Sequence, residues 1–126
     1  MPITLDFLEN GYIARYVFDG GWSAIELVPL YAQEDAHRRS VDHIVHTLID
    51  IQTMANIPGN VLRYAKGSPT LRSTNEGQLV MVGTNSYAKS LLEIVCKLAH
   101  YSKIQFASNQ HEGIRYLKIL IQNEQA

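Results

Sequence analysis

Alternating apolar and polar residues near the start of the chain predict a β-hairpin, with strands at residues 3–8 and 12–18. Asn10-Gly11 lies between the two runs, and this dipeptide tolerates the positive φ angles of a two-residue turn. A turn at that point places Asp6 opposite Arg15 on one face of the hairpin, which is a favourable cross-strand charge pair. The apolar pattern and the charge pair therefore indicate the same strand register.

Beyond the hairpin, apolar residues at helical spacing alternate with short apolar runs. We predict helices at residues 24–36, 60–66, 85–100 and 109–121, and strands at residues 41–51, 78–82 and 103–107. The helix at 85–100 carries an apolar stripe at helical spacing, formed by Leu91, Leu92, Val95, Leu98 and Ala99. The element order is ββαβαβαβα. Helices between successive strands favour parallel pairing through right-handed crossovers, so we expect an α/β fold with a five-stranded mixed sheet.

Two segments leave alternatives open. Ser23 and Glu26 have the spacing of a capping box and predict a helix start. Pro29 conflicts with a regular helix there, because an interior proline removes an amide donor. Either the helix kinks at Pro29 or its regular part begins near Val28. Residues 68–77 are rich in loop-forming residues and predict a surface loop, which is either a lid or a plain connection.

Composition narrows the class of protein. The chain has 126 residues, 46% of them hydrophobic and 18% charged, which is typical of one globular domain. We expect that domain at residues 3–121, followed by a frayed tail at 122–126. The formal net charge of -1 gives no attraction to nucleic acid or an anionic membrane, so we expect neither as a partner. The single cysteine, Cys96, excludes an intrachain disulfide and favours a cytoplasmic location.

Four short stretches resemble a known family. They are Phe18-Asp19-Gly20, Leu48-Ile49-Asp50-Ile51, Pro58-Gly59-Asn60-Val61-Leu62 and Gln78-Leu79-Val80-Met81-Val82-Gly83. Their order resembles the STAS domain, the fold of anti-sigma-factor antagonists and their SpoIIAA-like relatives, over about residues 3–117. The resemblance implies that the helices pack mainly on one face of the sheet. It also implies a regulatory or protein-interaction module in signalling.

The phosphorylation switch of the family lacks its acceptor residue at the matching position of this chain. Phosphorylated STAS domains carry a Ser or Thr in an Asp-Ser-x-Gly-like run at the start of the helix after the central strand. The corresponding stretch here is Ile57-Pro58-Gly59-Asn60, which keeps the glycine and lacks the aspartate and the hydroxyl. Thr53 is nearby but does not match the motif position, so the role is not transferred to it.

Candidate binding residues follow the ends of the predicted strands. The turns Pro58-Gly59-Asn60, Gly83-Thr84-Asn85 and Ser108-Asn109 each precede a helix, and parallel strands would bring all three to one edge of the sheet. Free helix amides at such an edge can hold a phosphate or carboxylate, although no Gly-x-Gly-x-x-Gly pattern is present. Asp50 ends the central strand, where it either binds a ligand or caps the following loop.

Nothing in the residue pattern predicts catalysis or a metal. His43 and His46 are three apart on a predicted strand and would point to opposite faces, so they cannot chelate one ion. Cys96 lies beside the apolar stripe of its helix and is most simply a small buried hydrophobe. We therefore expect no enzyme activity, no cofactor and no metal.

The leading hypothesis is a non-catalytic interaction module whose partner is a protein, with a second copy of the chain as one option. The segment 53–62 is the first candidate interface, and Trp22 beside two glycines is a further candidate anchor. The alternative is a binding domain for a small anion or apolar molecule at the carboxyl edge of the sheet. The candidate binding residues are Trp22, Asp50, Thr53, Pro58, Gly59, Asn60, Leu62, Gly83, Thr84 and Asn85.

Overall fold

Five strands form one mixed sheet in the computed structural model, which describes residues 2–83 and 85–125. They are β1 (Ile3–Leu8), β2 (Ile13–Gly20), β3 (Val45–Met54), β4 (Glu76–Val82) and β5 (Ile104–Ala107). The strands lie side by side in sequence order. β1 is antiparallel to β2, and the other neighbouring pairs are parallel. The predicted α/β fold with a five-stranded mixed sheet is therefore confirmed.

Helices cover the two faces of the sheet unequally. They are α1 (Leu27–Ser40), α2 (Val61–Ala65), α3 (Pro69–Arg72), α4 (Ser86–Leu98) and α5 (Gln110–Gln125). The first four pack on the face that carries Tyr16, Ile49 and Leu79, whereas α5 packs on the face that carries Leu48 and Val80. Crossovers of one hand that progress in one direction along a sheet all fall on the same face, which explains the expected one-sided arrangement.

The hairpin has the predicted register and a different turn. Asp6 pairs with Arg15 across the strands, and the guanidinium binds the carboxylate with distances of 2.5 and 2.9 Å. The connection is not a two-residue turn. Residues 9–12 lie outside the ladder, where Glu9, Asn10 and Gly11 all have positive φ angles and form a 3₁₀ turn. The register was predictable because the apolar alternation extends well beyond the turn.

The structure decides between the alternatives for Pro29. Ser23 and Glu26 form the predicted capping box around a 3₁₀ turn at Ala24–Glu26, and α1 continues directly from it. Pro29 is the third residue of α1. The first helical amides have no intrahelical acceptor, so the missing N–H of a proline costs little at this position. The regular helix thus begins near Val28, as the second alternative states.

Arg38 and Glu34 form a buried ion pair on the inner side of α1. Arg38 Nε lies 2.6 Å from Glu34 Oε2, and their side chains are 1% and 0% exposed. Glu34 also accepts hydrogen bonds from the hydroxyls of Tyr16, at 2.6 Å, and Thr70, at 2.7 Å. Arg38 donates to Thr47 Oγ1 and to backbone carbonyls of the sheet region. This network joins α1, α3, β2 and β3.

The prediction of a surface loop at 68–77 is wrong. Pro69, Thr70 and Leu71 are buried and form α3, and residues 76 and 77 already belong to β4. The ion-pair network explains why this segment is buried, since the hydroxyl of Thr70 in α3 donates a hydrogen bond to the carboxylate of Glu34 in α1. This segment is therefore a packed part of the core and not a lid.

The last helix extends further than expected. We predicted that residues 122–126 would fray, yet α5 continues to Gln125, while Ala126 lies outside the described residues. Glu124 accepts a hydrogen bond from Nε2 of the buried His46. Because His46 Nδ1 accepts the backbone amide of Gln78 at 2.9 Å, its proton is on Nε2. This contact holds the end of α5 against the start of β3.

Substitution of two adjacent arginines tests how much the buried ion pair contributes to the free energy of unfolding. Arg38→Ala leaves the carboxylate of Glu34 buried without its counter-ion, which typically costs about 3–5 kcal/mol of unfolding free energy. Arg39→Ala is the matched control, because Arg39 pairs with Asp35 at the same helical spacing and is 80% exposed. The control should cost less than about 1 kcal/mol. Urea unfolding of both variants measures the difference, and equal losses would contradict the assigned role of the network.

Candidate functional site

The carboxyl ends of β3, β4 and β5 meet at one edge of the sheet, as the sequence predicts. Asp50 pairs with Val82, and Val82 with Ala107, across three neighbouring strands. The amide of Gly83 donates to the carbonyl of Ala107 at 3.0 Å, which continues the ladder to the edge. The loops that follow these strands therefore share one rim of the molecule.

Asp50 lies on the α5 face of this edge, turned away from the other four helices. Its Oδ1 accepts the amide of Gln52 at 2.8 Å, and its Oδ2 accepts from Gln110 Nε2 at 2.5 Å. The residue is almost completely buried. Both carboxylate oxygens therefore bind groups of the protein itself, and Asp50 caps the following chain.

The residues that follow β4 have structural partners too. Asn85 is the N-cap of α4, and its side chain accepts the amide of Ala88 at 3.0 Å. Gly83 has a φ of 132°, and a Cβ there would lie 2.9 Å from Cγ1 of Ile51. Glycine is thus required for close packing at this edge. Thr84, the third candidate in this turn, lies outside the described residues.

Trp22 is buried and fixed by Asn56. Its indole Nε1 donates to the carbonyl of Asn56 at 2.8 Å, and its backbone amide donates to Asn56 Oδ1 at 3.0 Å. Asn56 Nδ2 donates back to the carbonyl of Trp22 at 3.2 Å. The indole ring also packs edge-on against Phe18. These contacts join the loop after β2 to the loop after β3.

The segment 53–62 comprises the end of β3, the loop after it and the start of α2. Thr53, Gly59 and Asn60 are exposed, and Pro58 is half-buried. Leu62 points inward from α2 and lines a cavity, together with Met54 and Ile57 from the same segment. The structure thus brings Trp22 and Leu62 to one site, whereas Asp50 lies on the opposite face of the sheet.

The cavity has a volume of about 120 Å³ and lies between the sheet and the helices α1, α2, α3 and α4. The sheet contributes its floor through Ile49, Ile51 and Met81, and α4 contributes Leu92 and Val95. Sequence reasoning missed it because each lining residue reads as ordinary core. The empty volume depends on the distance between the helices and the sheet. The spacing of apolar residues along the chain does not predict that distance.

The polar groups in the cavity wall are already engaged. The hydroxyls of Tyr16 and Thr70 donate to Glu34, and the indole N–H of Trp22 donates to Asn56. Burial is also the main cause that raises the pKa of Tyr16 and of Tyr31, so both phenols stay neutral. The wall therefore presents an almost wholly apolar surface.

A second apolar feature lies on the outside of α4. Tyr87, Ile94 and Leu98 are 63%, 48% and 62% exposed, and Leu91 between them is half-buried. We call these four residues the α4 stripe. The apolar residues of α4 divide between two faces, and Leu98 of the predicted stripe lies on the outer face. Ala88, Val95 and Cys96 face the core.

Reactive groups are few in the part of the chain that the structure describes. Burial raises the pKa of the Cys96 thiol to about 11, so the reactive thiolate is scarce at neutral pH. No group of three or more His, Cys, Asp or Glu side chains converges there as a metal site. Within residues 2–83 and 85–125, no helix is long and apolar enough to cross a membrane.

No protein-family model matches the chain, and a search of curated proteins gives no significant match. The kinship with STAS domains therefore stays an expectation drawn from the sequence. The features of the molecule that bear on function are the cavity and the α4 stripe.

Substitution of two asparagines, four residues apart, tests the hydrogen bonds between Asn56 and Trp22. Asn56→Ala removes two of the three hydrogen bonds between the loops, and we expect a loss of about 1–2 kcal/mol in unfolding free energy. Trp22 is the only tryptophan of the chain, so its fluorescence reports on the site directly. The emission should shift to longer wavelength as the indole gains water contact.

Asn60→Ala is the control for this experiment. Asn60 is exposed and makes no side-chain capping bond to α2. Its removal should leave the emission maximum unchanged and the stability within about 0.5 kcal/mol. A similar red shift in both variants would mean that Asn56 does not hold the indole specifically.

Proposed function

We propose that this protein is a non-catalytic interaction module and that its partner is a second copy of the same chain. The observation that carries the proposal is the α4 stripe, four large apolar side chains on one side of a regular helix. Single exposed apolar residues are common on protein surfaces, but an aligned and contiguous set marks an interaction site.

The spacing within the stripe favours a self-complementary contact. Tyr87, Leu91, Ile94 and Leu98 are separated by four, three and four residues. Alternating steps of three and four keep side chains on the seam between two helices. The order of steps is also the same in both directions along the helix. An antiparallel second copy therefore places Tyr87 against Leu98 and Leu91 against Ile94, as a two-fold axis requires.

Charges do not oppose this pairing. The charged residues of α4 are Lys89, Glu93 and Lys97, and at 100° per residue all three fall outside the stripe. Lys89 instead lies over the ring of Phe106 on β5, with 4.9 Å from Nζ to the ring centroid. The contact thus combines an apolar centre with a charged rim, which is the usual anatomy of a protein interface.

The resemblance to STAS domains supports a regulatory use of such a contact. In this proposal the loop at 57–60, where phosphorylated members of that family carry their acceptor, has no switching role. Gly59 and Asn60 are exposed there, and neither carries a hydroxyl. Regulation would then act through association and not through phosphate transfer at this loop.

A second candidate function is the binding of a small ligand. The cavity beneath α2 favours an apolar molecule over an anion. At the carboxyl edge, by contrast, Asp50 and Asn85 already bind backbone or side-chain groups of the protein.

Ile94→Asp tests the interaction module. A carboxylate at the centre of the apolar contact must be desolvated on pairing, so the dimer should dissociate into monomers. Sedimentation equilibrium of the wild type and the variant measures the change as a fall from twice the chain mass to one chain mass. Circular dichroism confirms that the variant remains folded.

Ile119→Asp is the matched control. Ile119 lies on α5 and is 50% exposed, close to the 48% of Ile94, but it lies outside the α4 stripe. This variant should remain dimeric. A wild type that sediments as a monomer at high concentration would refute the proposed partner, and dissociation by the control variant alone would place the interface on α5.

A further inference from the structure

We propose that the cavity beneath α2 is a binding site for a small, uncharged apolar molecule of about the size of a benzene ring. The site differs from the α4 stripe in place and in partner. It is a partly open space between the sheet and the helices α1 to α4, and it does not require a second copy of the chain.

The volume sets the size of the ligand. The cavity measures about 120 Å³. An apolar cavity of about 150 Å³ in another protein stays free of water and takes up benzene or xenon. Water gains nothing by entering such a space, since it needs two to four polar partners there. A molecule that fills the space restores the dispersion contacts that the lining atoms lack.

The chemistry of the wall sets the class of ligand. Tyr16, Thr70 and Trp22 could each offer a donor to a polar ligand, but all three donate to Glu34 or Asn56. Among the lining side chains, Tyr31 and Ser68 carry the two remaining hydroxyl groups. A neutral ring with at most one hydroxyl group fits this wall. A carboxylate or phosphate would lose its hydration without gaining a cationic partner.

The cover over the cavity explains how a ligand enters. Val61, Leu62 and Ala65 come from α2, which has only five residues and none that is fully buried. Residues 55–58 before it form no helix or strand. Elements with few buried contacts open at low free energy. Displacement of α2 therefore widens the opening of the cavity without breaking the sheet or the Glu34–Arg38 network.

The experiment compares three probes that share one ring: benzene, phenol and benzoate. Thermal unfolding is followed by circular dichroism at rising probe concentration. Benzene and phenol should raise the midpoint in a saturable manner, and at ten times the dissociation constant the ratio of folded to unfolded protein rises about elevenfold. Benzoate should have no effect. Stabilisation by benzoate alone would overturn the proposal and favour an anion site at the carboxyl edge.

Ala65→Leu is the variant that fills the cavity. The added atoms occupy part of the space beneath α2, so benzene should lose most of its stabilising effect while the fold is kept. Ala36→Leu is the control, because Ala36 is exposed on α1 and does not line the cavity. It should respond to benzene like the wild type.

Methyl resonances give a readout that does not depend on the variants. Benzene in the cavity should shift the methyl signals of Ile49, Ile51 and Leu92 by its ring current, and leave those of Ile119 unchanged. A wild type with no shift and no stabilisation refutes the site. Benzene binding that survives Ala65→Leu but is lost in Ile94→Asp would assign the probe to the α4 stripe instead.

Discussion

The fold depends on one buried ion pair, Glu34 with Arg38, because it fixes α1 and α3 to the sheet at the same point. Burying two charges costs several kcal/mol for each ion unless every polar atom finds a partner. Here the two side chains bind hydroxyls and carbonyls from β2, β3 and α3, and no buried side-chain nitrogen or oxygen in the described part of the chain is left unpaired. The network therefore specifies where these elements meet.

The same network gives the cavity its apolar character. Tyr16 and Thr70 line both the network and the cavity, and their hydroxyls are drawn toward Glu34. Only the carbon atoms of these two side chains therefore face the empty space. The helices on this side differ in how firmly they are held to the sheet. α1 is bound through the network and α4 through its buried apolar face, whereas α2 buries no residue completely. The empty volume lies under the least anchored element.

Much of the fold was predictable because it depends on local patterns. The strand register follows from alternation, and the packing of α1 to α4 on one face follows from the hand of the crossovers. The wrong prediction of a surface loop at 68–77 arose where polar residues face inward. Four buried residues share the inner side of α1 at helical spacing: Leu27, Leu30, Glu34 and Arg38. Because two of them are charged, an apolar pattern predicts neither the pair nor the burial of α3. The cavity itself could not be predicted, since it is a property of the space between elements.

The α4 helix connects the two proposed sites. Leu91 belongs to the α4 stripe and also lines the cavity, so one side chain contacts both the outer surface and the interior space. A ligand that moves Leu91 changes the surface offered to a second copy. Thermodynamic linkage then requires that pairing of the chains changes ligand affinity by the same factor. If both proposed sites are occupied as inferred, Leu91 gives a physical route by which a small apolar molecule would control association.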